Sequence, residues 1–152
     1  MKTTRISLLI AACLAAFATA VLAAAPAKTV LITAGDNMHY SVTTITAEPG
    51  QTLTVQLHNI GTLPKDVMGH NWILLAADQS PDAYATAALK AKADNYEPKE
   101  LQGQVLAAIP LQGPGRTDEV TFTAPTKPGK YPFLCSFPAH FAAGMRGVLV
   151  VQ

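Results

Sequence analysis

The sequence predicts an all-β fold, a sandwich or barrel of about eight short strands interrupted by one short helical flap. Three observations carry this. Runs rich in Val, Ile and Thr recur along the chain. The clearest, residues 52–60, alternates Leu53, Val55 and Leu57 with Thr54, Gln56 and His58, the period of a half-buried strand. Proline and glycine clusters punctuate the runs, at Glu48-Pro49-Gly50-Gln51, Gln112-Gly113-Pro114-Gly115 and Thr126-Lys127-Pro128-Gly129. A single Ala- and Lys-rich stretch departs from the pattern and opens with a helix-start signal.

The chain begins with an address. Lys2 and Arg5 precede an uncharged, Ala-rich run at residues 6–25, with small residues fitting a cleavage site between 23 and 27. Residues 1–25 therefore read as a secretory signal peptide. A retained transmembrane anchor is the alternative, since the run has the length for it, but its alanine content makes it a weak span. Ile10-Ala11-Ala12-Cys13 has the form of a lipoprotein cleavage box, which would anchor the protein through Cys13. The apolar run continues well past Cys13, which favours a bystander cysteine.

Residues 28–152 form one domain. Strands are expected at 29–33, 40–47 and 52–60, then a loop at 61–69 and a strand at 71–76. Ser80-Pro81-Asp82 supplies a capping hydroxyl, a proline at the first helical position and an acid in the first turn. A helix should follow to residue 93 and end near Asp94-Asn95. Strands at 105–109, 119–123, 130–135 and 147–152 complete the set. About 125 residues suffice to bury roughly two thirds of the unfolded surface.

The whole chain has 11 Lys and Arg against 10 Asp and Glu. Loss of the leader removes two bases and no acid, leaving a domain of formal charge −1. Such a domain has no basic field for nucleic acid, and stable insertion in a membrane is not expected of it. Its single remaining cysteine, Cys135, has no disulfide partner in an exported setting, and metal ligation explains it.

Cys135, His140 and Met145 form a C-x4-H-x4-M loop between two strands, and His70 opens the apolar run after Met68-Gly69. A thiolate, two imidazoles and a thioether suit copper, in the trigonal arrangement with a weak methionine that defines a blue electron-transfer site. Each residue alone has a plainer reading: Met145 as core filler, Cys135 as a small buried hydrophobe, either histidine as a satisfied strand-end group. Their combination within one loop, in a chain without disulfides, is what points to a metal. His39 and His58 lack soft neighbours and read as structural or surface groups, and Met38 and Met68 as packing residues. Three other readings remain: a Cys–His hydrolase with Cys135 as nucleophile, a copper storage or delivery module, and a structural zinc site.

These motifs resemble the cupredoxins, in particular the azurin and auracyanin branch. The resemblance rests on Leu63-Pro64-Lys65-Asp66-Val67-Met68-Gly69-His70-Asn71-Trp72, on Leu111-Gln112-Gly113-Pro114-Gly115 followed by Asp118-Glu119-Val120-Thr121-Phe122, and on the ligand loop, and runs from about Leu31 to Gln152. It implies an eight-stranded Greek-key β-sandwich with the helical segment as the family's flap. It implies one type 1 copper, held by His70, Cys135 and His140, with Met145 as the long axial ligand and the Gly69 carbonyl weakly opposite. Asn71 and the backbone N–H near Phe137 would bond the Cys135 sulfur, with Ser136 as the neighbouring small hydroxyl. Azurins carry C-x4-H-x3-M and an N-terminal disulfide. This chain has the longer spacing of auracyanins and no such disulfide. The implied function is one-electron transport in the periplasm. Redox proteins would dock at an apolar rim around His140 formed by Phe137, Pro138, Ala139, Phe141, Leu63, Pro64 and Met68.

Overall fold

The computed structural model describes residues 25–152, so the expected signal peptide, all but its last residue, and Cys13 lie outside the described residues. Eight strands follow in order: β1 (Lys28–Ala34), β2 (Thr44–Ala47), β3 (Thr52–Asn59), β4 (His70–Leu75), β5 (Val105–Gln112), β6 (Thr117–Thr123), β7 (Gly129–Leu134) and β8 (Arg146–Val151). One helical turn, α1 (Lys65–Met68), precedes β4, and α2 (Pro81–Ala88) lies between β4 and β5.

The strands form two sheets, β1-β3-β6 and β2-β8-β7-β4-β5. β1 runs parallel to β3, and β2 parallel to β8; the other neighbours are antiparallel. This is an all-β sandwich with a small helical insertion. Leu53, Val55 and Leu57 of β3 and Ile32 of β1 face inward, against Trp72 and Leu74 of β4, Ile109, Phe133 and Leu149, and all are fully buried. The Trp72 ring packs 5.4 Å from Phe133 and 6.1 Å from Phe122, joining the sheets. Thr54, Gln56 and His58 take the outer face of β3, where each bonds its β6 neighbour: Thr121, Glu119 and Thr117.

Every residue of β4 is buried. One face joins the sandwich core. The other, Ile73 and Leu75, meets Tyr84 of α2 with Leu134 and Phe141 in a second cluster. Covering on both sides explains why β4 reads as a continuous apolar run rather than an alternating one. Opposite Asn71 the β4–β5 register slips, His70 facing Gln112 and Trp72 facing Ile109. The additional β5 residue falls at Pro110-Leu111, a place where a proline without an N–H is tolerated.

Beside smaller shifts, β5 running on to Gln112 and β6 starting at Thr117, three segments depart from expectation. The strand placed at 40–47 begins only at Thr44. Residues 35–38 turn first, with Met38 left-handed at φ 57°, and Tyr40 keeps only an isolated bridge to Ala34. The Tyr40 hydroxyl donates to the Asn71 carbonyl, which draws this segment across the end of the sandwich. The loop at 61–69 contains α1, whose Val67 and Met68 amides both donate to the Pro64 carbonyl. The helix starts as read, with the Ala83 amide donating to Ser80 Oγ at 3.2 Å, but α2 stops at Ala88. A 3-10 segment, Lys92–Asp94, stands in place of its expected tail, and a second, Lys99–Gln104, follows beyond left-handed Asn95 and Tyr96 and Pro98. No helix among the described residues is long and apolar enough to cross a membrane.

Candidate metal centre

The site forms at one end of the sandwich. His70 is the first residue of β4, Cys135 directly follows β7, and Met145 directly precedes β8. The loop from Cys135 to Met145 closes on itself. The Cys135 amide donates to the Met145 carbonyl at 3.1 Å, and the Met145 amide to the His140 carbonyl at 2.9 Å. Inner turns hold the rest, with His140 N–H on the Phe137 carbonyl and Gly144 N–H on that of Phe141. Ala139 at φ 70° and Gly144 at φ 104° make the tight bends on either side of His140 and the residues after it.

The result brings the ligand atoms of His70, Cys135 and His140 within 4.8 Å of one another. His140 Nδ1 lies 3.4 Å from Cys135 Sγ, and the two imidazoles lie 4.9 Å apart between centroids with their planes tilted by 41°. All three residues and Met145 are shielded, none more than 1 % exposed. Gly69 is not glycine for its backbone angle, φ −71°. A Cβ there would collide with the Lys65 carbonyl and the Leu111 side chain, so the α1 turn could not close over His70.

Burial sets the protonation states. It holds the His70 imidazole below its ordinary range, partly offset by the charge of Asp36, and brings His140 down to about 4, with His70 adding to the effect. Burial pushes the Cys135 thiol up to about 11, moderated by backbone N–H groups of Asn71 and Phe137 that favour the thiolate. At neutral pH without a metal the cluster is thus two neutral imidazoles and a thiol. Both ring nitrogens of His70 are buried and neither makes a hydrogen bond of good geometry, although the Gly35 backbone lies close enough to favour the charged ring slightly. Buried orphan nitrogens are rare; here they sit beside a sulfur and a second imidazole, the donor set of a borderline-soft metal ion.

A profile of copper-binding proteins, the plastocyanin/azurin family, matches residues 27–152. The chain belongs to that family. It is 38 % identical to an azurin of Pseudomonas fluorescens biotype C over 127 residues, 81 % of this chain and 97 % of that one. It is 37 % identical to auracyanin-A of Chloroflexus aurantiacus over 120 residues, 78 % of this chain and 70 % of the relative. The solved auracyanin A of that bacterium, described as a blue copper protein, superposes with a TM-score of 0.72 at 35 % identity, covering 83 % of this chain and 99 % of its own. Copper is the metal of the family, and His70, Cys135, His140 and Met145 make a type 1 copper-like site in this cupredoxin.

Around the donors, the Asn71 side chain spans to the ligand loop. Its Oδ1 accepts from the Ser136 amide at 2.8 Å and its Nδ2 donates to Ser136 Oγ at 2.7 Å. The side chain of Asn71 thus fastens the loop, while its backbone N–H lies close enough to the sulfur to favour the thiolate. Two expected rim residues are elsewhere. Phe137 is buried, its ring between Tyr96 and His140 at 5.0 and 4.8 Å. Phe141 is buried in the cluster under α2, with the Arg146 guanidinium 4.9 Å from its ring centroid. Met68 and Pro138 are half-buried, while Leu63, Pro64 and Ala139 are exposed as expected. His39 and His58 are outside the cluster; His58 bonds Thr117. Sequence reasoning missed Tyr40 and Tyr96, which brace Asn71 and Ser136. The only local hint was Asn95, a residue suited to a left-handed turn.

Proposed function

We propose that this protein is an exported, periplasmic carrier of single electrons, with copper held by His70 Nδ1 or Nε2, Cys135 Sγ and His140 Nδ1 and more weakly by Met145 and the Gly69 carbonyl. The observation that supports it most directly is the convergence of a shielded thiol and two shielded imidazoles within 4.8 Å of one another. Bound copper supplies a one-electron couple. The chain's own part is to fix the donors and exclude water. Strand ends β4 and β7 and the self-bonded loop hold them in place, and the Asn71–Ser136 pair ties the two strands' ends together. A cage fixed in advance changes little when charge changes, which favours fast transfer.

Leu63, Pro64, Val67, Ala139, Ala142 and Ala143 are exposed around this end of the molecule. We place the docking of redox partners there, with His140 as the nearest ligand on the loop. Such contacts are small and brief, and their apolar character makes association only mildly dependent on salt. The hydrolase alternative fits poorly. Cys135 is inaccessible and its thiol is held protonated, the reverse of an activated nucleophile.

The deciding measurement is the visible spectrum of the oxidised, copper-loaded protein. An intense blue band is expected, lost in Cys135→Ser because the charge transfer starts from the thiolate. Met145→Leu should keep the colour and raise the reduction potential. Colourless protein with a freely titratable thiol would end the proposal. Reversible voltammetry with slow copper exchange separates a carrier from a storage module.

A further inference from the structure

Two consecutive flap residues stand in left-handed backbone, Asn95 at φ 54° and Tyr96 at φ 64°. Asparagine takes this conformation readily. A bulky aromatic does not, and it persists only where the surroundings over-determine it. The Tyr96 amide donates to the Ala91 carbonyl at 2.9 Å. Its carbonyl accepts from Ser136 Oγ at 2.6 Å, and its ring meets Phe137 edge-on at 5.0 Å. The strained residue therefore grips both residues that directly follow Cys135 in the ligand loop.

From there two routes reach the metal donors. Through hydrogen bonds, Ser136 is held on its other side by Asn71, so the flap carbonyl, Ser136 and Asn71 form one continuous clamp. Through rings, Phe137 lies 4.8 Å from His140. Asn71 and Phe137 are the residues whose backbone N–H groups lie close enough to the Cys135 sulfur to favour its thiolate.

The geometry points to Tyr96 as a positioning residue of the copper centre: by clamping Ser136 and Phe137 it aims two backbone amides at the Cys135 sulfur and so helps set the reduction potential. The inference rests on the copper reading above. An N–H directed at a thiolate favours the state in which sulfur carries more negative charge, which is the reduced one. Loosening the clamp therefore lowers the midpoint. A flap that merely packs would change stability alone.

The test combines voltammetry of the copper protein with amide hydrogen exchange at Ser136 and Phe137 in the copper-free protein. Tyr96→Ala removes the ring that wedges Phe137, and Ser136→Ala removes the hydroxyl link. Each is expected to lower the midpoint and to speed exchange at the Phe137 amide. The double variant should move little beyond the larger single change, since both act on one clamp. Tyr96→Phe retains ring and carbonyl and should restore the parent midpoint. A blue parent whose midpoint and amide protection survive both alanine variants overturns the inference. If Tyr96→Ala fails to fold, Tyr96→Leu, which keeps bulk and backbone but not the edge-on ring against Phe137, takes its place, and a parent midpoint with parent protection of the Phe137 amide in that variant overturns the inference. A parent that is never blue overturns the copper reading instead, and exchange in the copper-free protein still decides the clamp.

Discussion

Ala139 precedes His140 with φ at 70°, a region where a Cβ crowds the backbone and glycine is at ease. It is exposed, so little else depends on its methyl group. Ala139→Gly should stabilise the protein by up to about 1 kcal/mol, the relief of strain exceeding glycine's greater unfolded freedom. Urea denaturation of the copper-free protein would show this as a higher midpoint; a lower one would mean the bend is unstrained. Glu97 offers a second residue-scale test. It is half-buried, and desolvation raises its carboxyl above the ordinary 4.5. The fold thus favours its neutral form. That contribution is complete below the unfolded value and is lost as pH rises through the raised folded value. Glu97→Gln should therefore gain stability at pH 8, by less than about 1 kcal/mol given its partial exposure, and gain almost nothing at pH 4. Equal gains at both pH values would contradict this. The donors themselves were legible because cysteine, histidine and methionine carry their chemistry in their type. The strain at Ala139 and Tyr96 was not, since neither residue type announces a left-handed backbone.

At the scale of elements, β3 could be read from its period and β4 from its unbroken apolar run, because burial on one face or two leaves a mark on composition. The strand expected at 40–47 misled because its β-branched residues fit a strand equally well. A single long-range bond from Tyr40 to Asn71 redirects it, and no local pattern encodes such a bond. The tail of α2 misled too: its Ala and Lys content favours a helix, but past Ala88 the backbone tightens, the Lys90 and Ala91 amides donating to the Ala87 and Ala88 carbonyls three residues back. The β7–β8 pairing yields a prediction. Gly147 lies directly opposite Phe133, and a Cβ there would strike the Phe133 ring and the Thr43 carbonyl. Gly147→Ala should cost about 1–3 kcal/mol through overpacking. Because β8 starts next to Met145, it should also speed copper loss to a chelator. A variant with parent melting temperature and parent copper retention would show that the ladder yields at no cost.

For the whole molecule, the decisive event is the meeting of segments far apart in the chain: Asn71 and Ser136 touch across 65 positions. Spacing alone places three donors on one loop; His70 joins them by its residue type and its place at the start of another strand, and the likeness to a known family strengthens that link. The described residues hold one free cysteine and so no disulfide, and the sandwich relies on its core and its metal. Copper held by four converging donors binds the assembled cage more tightly than the separated side chains, so loading should raise the melting temperature by mass action. Removal by a chelator should reverse the rise, and Cys135→Ser should lose most of it. Calorimetry showing equal melting with and without copper would contradict this coupling.

The single backbone bond that joins Cys135 to Met145 has a consequence for how this design can vary over evolutionary time. It seals an eleven-residue cartridge at its base. Residues can be inserted into or deleted from the tip, between His140 and Met145, while β7 and β8 keep their pairing below. Related proteins can therefore differ in loop length, and retune one centre, without rebuilding the body that carries it.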